Sequence, residues 1–203
     1  MLQYQNIICQ NNPSKPQCTH ITCNCIYQAR LNDVNIGRSR HGYGGVACAI
    51  LHQYDNQIWT ILLGYERGGQ YKGQYNLFSG SVDQNDNGCY LVAIVREIFE
   101  ESTLNIPLGK TFDDIFKGSF GKIRFIMHNG TPVFIGVIHD ISRKNINHEL
   151  QLRIQDTTLH YSMKEISFVE WFDLQNESQI EGKTLPISEF ASSIVKKIKK
   201  NRY

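Results

Sequence analysis

The segment Arg96-Glu97-Ile98-Phe99-Glu100-Glu101 packs three carboxylates and one guanidinium into six residues. On a helix, positions three and four apart are neighbours, so Glu97 lies beside both Glu100 and Glu101. Like charges so placed repel by tenths of a kcal/mol per pair, and a plain surface helix has no need of them. A divalent cation converts that repulsion into coordination. Hard oxygen donors suit Mg²⁺ or Mn²⁺, and a Mg²⁺ site commonly takes one or two carboxylates and completes its shell with phosphate oxygens and water. Arg96 precedes Glu100 by four positions and is placed to pair with it or to hold the adjoining loop. A solvated acidic face is the alternative reading of the same six residues.

These groups need a scaffold. Residues 89–101 contain no Gly or Pro, and Leu91, Val95, Ile98 and Ser102 form one helical stripe. Asp86 or Asn87 is the expected N-cap. With the stripe packed on a sheet, the carboxylates stand at the mouth of a pocket. Val46–Leu51 and Ile58–Tyr65 read as a β-hairpin, residues 66–74 (ERGGQYKGQ) as a Gly-rich loop, and Tyr75–Phe78 as a short strand ending at Gly80. Lys122–His128 and Thr131–His139 flank Asn129-Gly130, the strongest short hairpin signal. Residues 140–162 are polar and read as a long loop, Phe168–Leu174 as a strand, and Pro186-Ile187-Ser188 as the capped start of a terminal helix, EFASSIVKKIKK. Strands, one helix, more strands and one helix predict an α/β fold, a mixed sheet covered by helices.

The carboxylate segment resembles the signature of the Nudix hydrolases, G-x5-E-x7-R-E-U-x-E-E-x-G-U, where U is aliphatic. Arg96 to Leu104 matches R-E-U-x-E-E-x-G-U except at Thr103, where the family has Gly. Gly80 lies sixteen residues before Arg96 instead of fourteen, and the signature Glu falls near Asp83 or Asp86 only if an insertion is allowed. The run Gly80 to Asp86 looks like the G-x-x-D-x-x-D variant of the coenzyme A-type branch. Glu165-x5-Trp171 looks like the late E-x5-W element of the family. The resemblance implies a Nudix-like α/β/α sandwich with a mixed β-sheet and a catalytic helix, spanning residues 41–203 behind a 1–40 extension. It implies a Mg²⁺- or Mn²⁺-dependent pyrophosphohydrolase that cleaves a diphosphate linkage. Glu97, Glu100, Glu101 and the Gly80 carbonyl would hold metal, Arg96 would orient the carboxylates, and Glu97 or Glu165 would act as the base. The substrates implied are nucleoside diphosphate derivatives, capped RNA ends, diphosphoinositol phosphates or coenzyme A. The alternative is a non-catalytic nucleotide- or RNA-binding module on the same fold.

A length of 203 residues favours one domain with an appendage. The net charge of +2 hides a partition: residues 1–45 carry +3, the last eight +5, and the middle −6. The basic tail, Lys196 to Arg202, suits RNA or a highly phosphorylated substrate, and it equally suits the dipole of a helix C-terminus. Arg38, Arg40 and Arg67 are further candidate phosphate partners. Tyr43, Tyr65, Tyr71, Tyr75 and Phe78 are candidates for base stacking, though sheet packing explains them as well. Cys9, Cys18, Cys23 and Cys25, with His20, are a weak zinc candidate, because their spacing lacks paired C-x2-C units; they read as free thiols on a strand and loop. Cys48 and Cys89 read as packing residues. The longest apolar runs, Val46–Leu51 and Tyr90–Val95, are far short of the ~18 residues of a spanning helix, and no signal peptide is evident. The chain reads as cytoplasmic, acting on a small diphosphate substrate or RNA and on no membrane.

Overall fold

The computed structural model describes residues 44–54, 58–118, 121–139, 143–176 and 185–201. The extension at 1–40, its four cysteines and His20, the strand expected at 20–31, Arg38, Arg40, Tyr43 and Arg202 lie outside the described residues.

Among the described residues one mixed sheet has seven strands: β1 (Gly45–Tyr54), β2 (Ile58–Glu66), β3 (Tyr75–Asn76), β4 (Phe78–Ser81), β5 (Phe125–His128), β6 (Thr131–Val137) and β7 (Ile166–Asp173). The predicted first hairpin is present, with β1 antiparallel to β2 in the register Ile50↔Leu62. β1 runs parallel to β6 on its other edge, and β2 pairs antiparallel with β7 on its other edge. β3 pairs with the end of β2 and β4 with the start of β1. The segment 75–81 therefore wedges between the diverging ends of the central strands, and this wedge carries part of the site. The Asn129-Gly130 turn joins β5 to β6 with φ of 47° and 74°, as a type I′ turn requires.

Alternation along the strands separates two cores. Val46, Cys48, Ile50 and Leu62 face helices α1 (Tyr90–Ser102), α2 (Lys110–Phe116) and α3 (Arg143–Gln155). Ala47, Ala49, Leu51, Ile61 and Leu63 face Ala191, Ile194, Val195 and Ile198 of helix α4 (Glu189–Asn201). The arrangement is an α/β/α sandwich with a mixed sheet. Cys48 and Cys89 are buried free thiols, as expected of packing residues. No helix among the described residues is long and apolar enough to cross a membrane.

Two expectations are corrected. Residues 140–162 are not one long loop. They contain α3, whose low apolar content hides it: only Ile146 and Leu150 of this polar helix enter the core. Its anchors are polar, with Asn147 exchanging hydrogen bonds with the Val169 backbone at 3.1 and 2.6 Å and Gln151 donating to the Ser167 carbonyl at 2.9 Å. A 3₁₀ turn at Tyr161–Lys164 leads on to β7. The N-cap of α1 is Cys89, with no side-chain cap bond; Asp86 is otherwise engaged.

Candidate active site

Helix α1 lies with its apolar stripe on the sheet: Leu91, Ile94, Val95 and Ile98 are buried. Each such side chain contributes about 1.5–3 kcal/mol by leaving water, enough to seat the helix despite its crowded carboxylates. Glu97 and Glu101 are themselves buried, at 7% and 3% exposure, so the plain solvated acidic face does not describe them.

Arg96 organises the patch. Its Nε and one terminal nitrogen donate to the two oxygens of Asp86 at 3.0 and 2.8 Å, and that same nitrogen donates to the Ser81 carbonyl at 2.8 Å. Its other terminal nitrogen donates to Glu97 Oε1 at 2.7 Å and to Glu100 Oε2 at 3.3 Å. Burial opposes the guanidinium charge. The Asp86 bond and the charges of Glu97, Asp86 and Glu100 outweigh it and raise the pKa further. Asp86 in turn accepts from the Asp83 backbone N–H at 2.9 Å. The loop between β4 and α1 is thus tied to the helix through one part-buried bidentate pair.

Gly80 serves by its lack of a side chain. It stands in β4 with no positive φ, so backbone conformation is not the reason for glycine. A methyl group built on it would overlap the carboxyl carbon and both oxygens of Glu97. The Glu97 carboxylate lies flat against the strand at this point. Ladder alternation, with the Val82 N–H bonded to the Gly44 carbonyl, makes Gly80 and Val46 a hydrogen-bonded pair. One residue earlier, the Ser79 backbone N–H donates to Glu101 Oε2 at 2.6 Å.

Thr103, the departure from the resembled signature, caps α1 at φ 64° and ψ −2°, and its N–H donates to the Phe99 carbonyl. This is the left-handed position that helices usually give to glycine. Arg153 of α3 closes the same helix end, donating to the carbonyls of Phe99 at 2.7 Å and Glu100 at 3.1 Å with its guanidinium 4.5 Å from the Phe99 ring centre.

Two carboxylates from elsewhere in the chain join the group electrostatically. Glu165, half-buried ahead of β7, is raised in pKa by burial and by the charge of Glu100, with His160 acting against. Glu66, at the start of the segment whose composition predicts a loop, instead ends β2 and is buried. Burial raises its pKa to about 7, helped by the charge of Glu165 and opposed by a bond from Asn76 Nδ2 at 3.2 Å. The signal available in sequence was alternation: Leu62, Gly64 and Glu66 share a face of β2. Glu97 is also raised to about 7, by burial and the charges of Glu100 and Asp86 against the pull of Arg96. Glu101 is raised well above the carboxylate range by burial and by the charges of Glu97, Glu66 and Glu165, with the Ser79 bond acting against.

Among the described residues, no three His, Cys, Asp or Glu side chains converge on a single ion as they stand, and Arg96 holds oxygens of both Glu97 and Glu100. The donor chemistry nevertheless fits a hard divalent cation: oxygen donors only, with Glu97 and Glu101 buried and raised in pKa chiefly by that burial and further by neighbouring carboxylates.

Of the other candidates, Tyr65 and Tyr75 pack with Phe168 in the α4-side core, and Phe78 is fully buried. Arg67 ties the loop after β2 to the chain before β7, its N–H donating to the Glu165 carbonyl at 2.7 Å and its guanidinium to the Lys164 carbonyl. Tyr71 lines an open cavity of about 520 Å³ with Gln70, Gln74 and Glu189.

No protein-family model matches the sequence, and no curated protein matches it. Solved structures of similar shape include the Nudix domain of Shewanella oneidensis NrtR complexed with ADP ribose (12% identity, 78% of this chain and 87% of that one, TM-score 0.45). A Nudix hydrolase from Alicyclobacillus acidocaldarius matches at 13% identity over 75% of this chain and 88% of that one, with a TM-score of 0.46. The Ap4A hydrolase of C. elegans matches at 12% identity over 78% and 97%, with a TM-score of 0.44. The likeness is one of general shape.

Proposed function

We propose that this chain is a divalent-cation-dependent pyrophosphohydrolase of the Nudix type, cleaving a diphosphate linkage in a nucleoside diphosphate derivative or a related substrate such as a capped RNA end. The observation that carries this reading is the buried carboxylate group of α1, with Glu97 laid against a glycine at whose place any side chain would displace it, and with the charges of Glu66 and Glu165 acting on Glu101. Glu97, Glu100 and Glu101 would hold Mg²⁺ or Mn²⁺, with the second lone pair of the Gly80 carbonyl available to it. Such an ion neutralises diphosphate oxygens and lowers the pKa of a water it binds.

The remaining work falls to the side chains. Arg96, kept charged by Asp86, orients Glu97 and Glu100. The Ser79 N–H fixes one oxygen of Glu101. Glu97 is confined between Gly80 and Arg96, whereas Glu165 is more open to solvent and has a raised pKa. We therefore assign Glu165 the proton of the attacking water, since a base has to be free to reach the water it deprotonates.

The test is turnover of a panel of diphosphate compounds, with products identified by mass, for the parent protein and for Glu100→Gln and Glu165→Gln. Both variants should lose activity, by roughly 100-fold for a general base. Glu100→Gln should also weaken Mn²⁺ binding, whereas Glu165→Gln should retain it. Saturable nucleotide binding without any product across the panel would establish the non-catalytic module instead.

A further inference from the structure

The carboxylate Glu66 is connected through the protein interior to the start of α4. Asn76 Nδ2 donates to Glu66 Oε1 at 3.2 Å. Asn76 Oδ1 accepts from Ser188 Oγ at 2.7 Å, and Ser188 Oγ accepts from the Ala191 N–H at 3.0 Å, which is an N-cap bond. Asn76 and Ser188 are both fully buried. The order of donors and acceptors is consistent along the chain: the Ser188 hydroxyl accepts the Ala191 N–H and gives its proton to Asn76 Oδ1, and the Asn76 amide presents its N–H to Glu66. Rotated the other way, the amide would set an oxygen against the carboxylate.

The backbone reinforces the link. The Tyr75 N–H donates to the Pro186 carbonyl at 2.7 Å, and the Ser188 N–H donates to the Tyr75 carbonyl at 2.9 Å, so the segment before α4 is stitched to β3 beside Asn76. Glu66 is held on its other side, where β2 and β7 shift register between Gly64 and Glu66. Such an irregularity re-aims a side chain.

From this we infer that Asn76 and Ser188 are positioning residues: they hold the Glu66 carboxylate in the acidic site and make its placement depend on the docking of α4. The inference rests on the proposed hydrolase only for its effect on turnover; the placement of Glu66 is a separate observable. A buried amide and hydroxyl placed only to satisfy one another would need no carboxylate at the end of the chain.

The experiment uses the full chain with ¹³C-labelled glutamate, the Glu66 carboxyl resonance being identified by its loss in Glu66→Gln. Asn76→Asp keeps the volume and replaces the donor by an acceptor, Ser188→Ala breaks the chain one step further away, and Ser188→Thr keeps the hydroxyl. The Glu66 resonance should move in Asn76→Asp and Ser188→Ala and return to the parent position in Ser188→Thr. The Mg²⁺ concentration giving half-maximal turnover should rise roughly tenfold in Asn76→Asp, the effect expected when a carboxylate behind the metal-holding Glu97, Glu100 and Glu101 is displaced. If Ser188→Ala lowers the melting temperature while the Glu66 resonance and the Mg²⁺ dependence stay unchanged, the link is merely structural and the inference is overturned. If the parent protein neither turns over nor binds Mn²⁺, the proposed hydrolase fails, and the resonance alone decides whether the positioning chain exists.

Discussion

Gly80→Ala separates the geometry of the site from the stability of the fold. The added methyl overlaps the Glu97 carboxyl group, whose three heavy atoms are its nearest neighbours. Gly80 lies in a strand without positive φ, so alanine meets no backbone penalty there, and it removes some of the freedom glycine has when unfolded, which favours folding by about 0.4–1 kcal/mol. Opposing this, Glu97 must leave its place by about 1 Å, through an off-rotamer adjustment of about 0.5–1.5 kcal/mol. The two nearly cancel, and the midpoint of urea unfolding should change little. Activity should not survive so well, because a displacement of about 1 Å at a reacting centre is worth roughly 100-fold. The assay is kcat/KM on the best substrate of the diphosphate panel, beside urea unfolding, for Gly80→Ala, Glu97→Gln and the double variant. If the methyl acts through Glu97, the double variant is no slower than Glu97→Gln alone, since the two changes remove one interaction. Gly80→Ala activity within about threefold of the parent, or fully additive losses in the double variant, would refute the placement of Glu97 against the strand.

Further predictions concern the helix cap, the charge of the site and the tail. Thr103→Gly relieves a β-branched residue at φ 64°, a conformation that costs most residues about 1–2 kcal/mol; after allowance for the flexibility of glycine the melting temperature should rise by roughly 2–4 °C, read by calorimetry. For the metal-free protein the pH dependence has a definite sign. Glu97 is raised from 4.5 to about 7 on folding, so its contribution is present below about pH 4.5 and is lost as pH rises to about 7, an amount of roughly 3 kcal/mol. The melting temperature should fall over that window, and saturating Mg²⁺ should abolish the fall. Lys199→Gln with Lys200→Gln, at two exposed positions of α4, should leave kcat/KM for a small nucleotide unchanged and should lower the salt slope of RNA binding by about 1.4 if the tail contacts RNA. Truncation at residue 196 is the wrong version of that test, because Ile198 is in the core and the Lys197 ammonium donates to the Met127 carbonyl.

The fold was legible wherever periodicity and turn chemistry agreed. Strong alternation exposed β1 and β2, Asn129-Gly130 announced the second hairpin, and a clean stripe marked α1. Ser188 before an apolar-periodic run marked α4, and its hydroxyl does cap the helix. α3 escaped because its stability is tertiary: two apolar side chains and three side chains bonded to β7 and the end of α1 hold it, and none of these has a helical period of its own. α2 escaped for a related reason, since only Phe112 and Phe116 of its seven residues are buried.

The site divides along the same line. Glu97, Glu100, Glu101 and Arg96 are neighbours within two turns, so local geometry sufficed to group them. Glu66 and Asn76 are ten residues apart across the Gly-rich loop, and Ser188 lies 112 residues beyond Asn76. They meet because β1 and β2 diverge and the 75–81 segment fills the gap, bringing Asn76, Ser79 and Gly80 in succession past the carboxylates. Gly80 makes the distinction sharpest. A glycine at a strand end reads as a turn residue; this one is needed because another side chain arrives. The first kind of reason is written in the residues on either side of it, whereas the second exists only once α1 has docked, so it can be found only from the packed structure.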